Sequence, residues 1–109
     1  MKFFRLIDLQ VRHFANLKTT HEMMHHGPLK EGQEVPSHTH QEIALYVVTK
    51  GAALFVNEGS HELGQSRACD AVVVPAQLVH GWKALSPHTV IEHVFGEKNV
   101  DLVLAMGAV

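Results

Sequence analysis

Cysteine is almost missing from this 109-residue chain. Cys69 stands alone, which excludes an internal disulfide framework and suits a reducing compartment. No run of lysine or arginine occurs and the formal net charge is −2, so neither nucleic acid nor anionic membrane is an expected partner. No apolar stretch approaches the roughly 18 residues of a membrane helix. The opening MKFFRLIDLQ has a lysine and a short apolar stretch, but Asp8 and Gln10 interrupt it. No small-residue cleavage site follows, so it does not read as a secretory signal. Linkers, repeats and low-complexity tracts are missing as well. The expectation is one soluble, cytoplasmic domain spanning residues 1–109.

Histidine, in contrast, is plentiful: ten residues against nine lysines plus arginines. Imidazole titrates near about pH 6.5 and is the commonest metal ligand, so the composition points toward a metal. Hydrophobic residues make up 46% and charged residues 18%, the range of an ordinary folded domain. A chain this short buries less than about 70% of its unfolded surface, and a homodimer would add to that. The apolar FFRLI and VRHF segments supply a surface for such pairing.

Glycine, proline and asparagine punctuate the chain at short intervals. The segments between them are rich in valine, leucine, isoleucine and phenylalanine. Strands are therefore expected near residues 3–7, 10–14, 21–26, 33–36, 42–49, 52–57, 60–63, 71–74, 79–84 and 89–95. The tail NVDLVLAMGAV reads as a last strand or a short helix. Such spacing predicts an all-β sandwich or barrel.

Two turns set expected registers. The turn Thr49 to Ala52 places Val48 opposite Ala53 and Tyr46 opposite Phe55. The turn Leu85 to His88 places Ala84 opposite Thr89, Trp82 opposite Ile91 and His80 opposite His93. Opposed residues share a face, and faces alternate with period two. If His80 looks inward, so do Trp82, Ile91, His93 and Phe95, and Glu92 is outward and solvated.

His38 and His40, in HTHQEIALYVVTKG, are two apart, so an extended backbone projects both rings to one side. Neutral imidazoles on one face suit a first-row divalent ion, while a bare HxH is as readily a pair of exposed loop histidines. A rival is HEMMH at 21–25, which fits the helical HExxH of zinc proteases with Thr19 as a capping residue. Gly27-Pro28 would end that helix early, and as a strand His21, Met23 and His25 would share one face. Some of these histidines would then line the barrel or a dimer contact. Cys69 reads as a small buried hydrophobe. His13, His61 and His88 read as exposed.

The chain resembles the cupin superfamily of small jelly-roll barrels with a metal at the mouth. Gly32, five residues, His38 and His40, then Gly51, follow the first cupin motif over 32–51. CDAVVVPAQLVHGW follows the second over 69–82, with Pro75 and His80 in place and Cys69 and Gln77 where glycines are usual. The resemblance implies a single small jelly-roll barrel. It implies a divalent ion (iron, manganese, nickel or zinc) on His38, His40 and His80. The family's carboxylate ligand would fall at Ala44, which cannot bind a metal. Glu42, two residues earlier, and His93, beside His80, are the candidates to complete the set. Tyr46, Phe55, Trp82, Ile91 and Phe95 are the expected pocket walls, by a pattern that fits plain core equally well. His93 is the expected acid–base residue, its pKa lowered by a nearby ion. The function implied is a metal-dependent enzyme on a small polar organic molecule, with dioxygenase or isomerase chemistry. The alternative is a non-catalytic cupin that binds or senses a small molecule.

Overall fold

The structure is a computed structural model that describes residues 1–20, 25–57 and 61–105, without the side chains of 18–20 and 25–27. The described residues form nine strands and two helices. In order these are β1 (Lys2–Arg5), α1 (Asp8–Thr20), β2 (His25–Leu29), β3 (Glu34–His38) and β4 (Ala44–Lys50). Then come β5 (Ala52–Val56), β6 (Glu62–Arg67), β7 (Asp70–Val74), β8 (His80–Ala84), β9 (Thr89–Phe95) and α2 (Glu97–Ala105). One sheet runs β1-β7-β4-β9-β2 and the other β3-β8-β5-β6. Every pairing is antiparallel, as a small jelly roll requires.

Alternation on β4 explains the layering. Ala44, Tyr46 and Val48 join an inner cluster with Phe55, Val72, Trp82 and Ile91. Leu45 and Val47 join an outer one with Leu6, Phe14, Val94, Val100 and Val103. A strand covered on both faces reads as one apolar run, ALYVV, because neither face meets water. The outer cover comes from the helices: Phe14 on α1, and Val100 and Val103 on α2, are buried. Each such side chain contributes about 1.5–3 kcal/mol through burial.

The strand expected at 10–14 is helix. Val11, Phe14 and Leu17 recur at helical spacing and pack on the outer cluster. Asp8 occupies the first turn, where its charge complements the helix dipole. The Gln10 side chain accepts the Ile7 N–H at 2.9 Å, closing the amino terminus as one half of a capping box. The tail is the short helix of the two forms considered. Of HEMMH, residues 21–24 lie outside the described residues, while His25 opens β2. The strand expected at 60–63 begins, among the described residues, at Glu62.

Both expected hairpin registers are corrected. Strand β4 has two edges, and β7 and β9 occupy them, so Tyr46 pairs with Val72 and His93 rather than Phe55. Strand β8 lies between β3 and β5, so His80 pairs with His38, and Trp82 with Val35 and Phe55. The chain crosses between sheets at each turn instead of folding back in one. Gly51 makes the first crossing at φ +78°, where a Cβ would collide with Thr89 and with Ser86 Oγ at 2.7 Å. The inward faces were still correctly assigned, because the two sheets look at each other across the core. Tyr46 and Phe55 thus meet ring to ring, 6.3 Å apart, without sharing a ladder.

Candidate metal centre

Three histidines arrive from two strand ends. His38 closes β3, His40 follows two residues later, and His80 opens β8 directly opposite His38. Gly81 lets β3 come this near. A Cβ there would lie 2.7 Å from the Val35 carbonyl oxygen and 2.9 Å from the Ser37 nitrogen. His40 is tied to the same end of the barrel, since its carbonyl oxygen accepts the Gln77 N–H at 2.8 Å. Gln77 holds φ +68° and Cys69 φ +73°, so both residues standing where cupins usually have glycine keep a glycine-like backbone.

The rings converge. One nitrogen from each of His38, His40 and His80 lies within 4.8 Å of the others. Ring centroids are 4.8 Å apart for His38–His40, and 4.6 Å for both His38–His80 and His40–His80. The Nδ1–H of His38 donates to the Pro36 carbonyl at 2.8 Å, and that of His80 to the Leu78 carbonyl at 2.8 Å. A carbonyl can only accept, so both neutral rings present a bare Nε2 lone pair. Fixing a ligand's far nitrogen in this way is how proteins orient histidine toward a metal. Burial lowers the His80 pKa; the Leu78 bond opposes this and nearby His38 adds to it, so the ring is held neutral.

These residues fit a metal ion by donor type, and His38 and His80 also by tautomer. Three nitrogens held at about 2.0–2.2 Å by one ion would stand roughly 3.0–3.6 Å apart, inside the 4.8 Å that bounds the group. His38 and His40 are half-buried, and His80 is fully buried.

Tyr46 stands among them. Its hydroxyl lies 2.9 Å from His40 Nε2 and 3.2 Å from His80 Nε2. Burial pushes the phenol's pKa well above its ordinary value. The other expected site residues divide. Glu42 is exposed in the bend before β4, outside the three-histidine group. Ala44 is buried on the inner face of β4. His93 faces inward, but beside Tyr46 at 5.0 Å and Phe95 at 4.6 Å between ring centroids, not paired with His80. Glu92 does turn outward, opposite Val47, yet it is buried rather than solvated. Phe55, Trp82 and Ile91 pack with Tyr46 in the inner cluster, and Trp82 and Phe95 also touch the histidine rings.

The hydroxyl contact of Tyr46 is what sequence reasoning missed, having cast the residue as pocket wall. Its signal was present: Tyr46 is two residues past Ala44, hence on the same strand face as the missing carboxylate. His61 and His88 are exposed as expected. His13 is half-buried, and its Nε2 has no hydrogen-bond partner among the described residues. Cys69 is half-buried.

No family model matches the chain, and no curated protein matches it. Solved structures do. A DUF861 family protein from Thermotoga maritima matches at TM-score 0.63 and 16% identity, over 87% of this chain and 98% of the other. An RmlC-like cupin from Desulfovibrio desulfuricans matches at TM-score 0.54 and 24% identity, over 67% and 79%. Bacillus subtilis oxalate decarboxylase, a protein with Mn(II) centres, matches at TM-score 0.52 and 23% identity, over 67% of this chain and 19% of that one. At these identities the likeness carries the fold alone.

Proposed function

Proceeding from a cupin fold, we propose that the protein binds one first-row divalent ion through His38, His40 and His80 and acts on a small polar organic molecule. The observation that carries this reading is the convergence of three imidazoles, two with their Nε2 lone pairs freed by backbone carbonyls. Iron, nickel and zinc suit imidazole ligands of this kind, and manganese completes the proposed set. Such an ion would supply Lewis acidity toward a carbonyl, enolate or thiolate. Oxygenase or isomerase chemistry is the class of reaction proposed. His93, on the inner face beside Tyr46, is the proposed acid–base residue. Tyr46, Trp82 and Phe95 are the proposed walls nearest the ligand, with Phe55 and Ile91 behind them.

The experiment is metal analysis of tag-free protein, paired with substrate screening under oxygen. Stoichiometric metal with turnover of a small diketone, thiol or phenolic acid supports the enzyme. A chain that binds such molecules without metal or turnover supports a binding or sensing role instead.

The proposal extends to a cytoplasmic homodimer. Strand β1 is a sheet edge, and Ile7, Leu9 and Leu102 are exposed large hydrophobics. Among the described residues no helix is long and apolar enough to cross a membrane.

A further inference from the structure

The geometry points to Tyr46 as a fourth protein ligand of the ion, binding through its phenolic oxygen where the cupin pattern has a carboxylate. This rests on the three-imidazole reading and adds to it a residue that sequence reasoning placed in the pocket wall.

Three observations carry it. The first is distance. Two donors bound about 2.1 Å from a common ion at near-right to tetrahedral angles stand roughly 3.0–3.4 Å apart. Tyr46 Oη stands 2.9 Å from His40 Nε2 and 3.2 Å from His80 Nε2, so it already sits at ligand-to-ligand spacing from two members of the group. The second is proton count. His80 Nε2 bears no hydrogen, because its Nδ1–H is committed to Leu78. A phenol has one proton, which goes to His80 Nε2, while the His40 Nε2–H is given to Oη. The contacts that hold the hydroxyl in place therefore run along the edges an ion would span. On uptake, the Tyr46 O–H bond breaks, its proton leaves to solvent and an O–metal bond forms. The neutral His40 ring carries its hydrogen on Nδ1 instead. One positive charge is released for each doubly charged ion taken up.

The third observation is position. Ala44 offers no donor, and Glu42 is exposed in the preceding bend. Tyr46 is the next inward residue on the same strand, and its longer side chain reaches the spot that a carboxylate at 44 would serve. The result is three nitrogens and one anionic oxygen, the same donor count and charge by a different side chain.

Tyr46 is the one tyrosine in the chain, so the unmodified protein is its own probe. Zinc is titrated into metal-free protein while calorimetry counts ions bound and difference absorption follows conversion of phenol to phenolate. Zinc suits the test because a nitrogen site that takes manganese or iron(II) takes zinc more tightly. The expected result is a phenolate signal that saturates at one ion per chain. Tyr46→Phe should abolish the signal and weaken zinc binding by more than the roughly 10–100-fold typical of losing an outer hydrogen-bond partner. Zinc bound at one per chain without phenolate overturns this inference and leaves the three-imidazole site standing. A chain that takes up no zinc overturns both. If Tyr46→Phe does not fold, the titration of the unmodified chain decides alone.

Discussion

His38 and His80 stand opposite one another on β3 and β8, and each ring gives its Nδ1–H to the carbonyl oxygen two residues earlier in its own strand or loop. Two side chains far apart in sequence are thus held by the same local device, which leaves each Nε2 with a bare lone pair. The pair depends on how closely β3 approaches β8, which Gly81 sets. Gly81→Ala adds a Cβ that meets backbone atoms of Val35 and Ser37, so β3 must move away. Metal affinity is expected to fall at least about tenfold, in the range seen when the support of a ligand is disturbed. Stability should fall by roughly 1–3 kcal/mol, as for other overpacked sites. Calorimetric titration and thermal melting check the two effects separately. Unchanged affinity in a folded Gly81→Ala variant would show that the approach of β3 does not govern the site.

A pH dependence follows from His80. Its folded pKa lies below the ordinary 6.5, mainly because the ring is buried. The unfolded chain therefore takes up a proton near pH 6.5 while the folded chain stays neutral to lower pH. Stability from this group is at its full value above about pH 6.5 and is lost as pH falls through that value toward the folded pKa. Melts of metal-free protein from about pH 8 to pH 5 should show this loss, and His80→Gln should flatten part of it. A wild-type profile no steeper than that of the variant would refute the assignment.

His93 is the third case. His93→Gln should keep the metal content of the wild type, since the ring lies next to Tyr46 rather than in the three-histidine group. Turnover, once a substrate is found, should fall by roughly 10²–10⁴-fold, the scale of one positioned acid–base group. Loss of metal on this substitution would make His93 part of the ion's own holding group instead. Unchanged turnover would make it core.

Self-association is expected at micromolar concentration. The edge strand β1 and the exposed Ile7, Leu9 and Leu102 offer unsatisfied backbone and apolar surface. Sedimentation should show a dimer. Ile7→Glu with Leu9→Glu should shift it toward monomer without unfolding it, because both side chains are exposed. Monomer alone at high concentration in the unsubstituted chain would reject the dimer.

Most of the barrel was legible in the sequence, since period-two alternation and turn residues place β3, β4, β5, β7, β8 and β9 within two residues of their observed bounds. The three converging histidines were legible through the family resemblance: HxH spacing puts His38 and His40 on one face, and the cupin pattern names His80 as the third. Partner strands were not. A short turn between two strands suggests a hairpin, but a strand already paired on both edges has no ladder left to offer, and β4 and β8 are both in that position. Helix α1 was read as a strand because VRHF is short and apolar; the helical spacing of Val11, Phe14 and Leu17 emerges only over a longer window. The hydroxyl of Tyr46 was hidden in another way. Its strand face could be read, but the reach of a phenol across the barrel to two imidazoles depends on the curvature of both sheets.

The central claim is that His38, His40 and His80 share one ion, and anomalous diffraction from crystals grown with that ion tests it most directly. The expected result is a single anomalous peak with the Nε2 atoms of all three rings at about 2.0–2.2 Å from it. A peak elsewhere on the molecule, or three rings turned away from a common centre in crystals grown at saturating metal, would contradict the account.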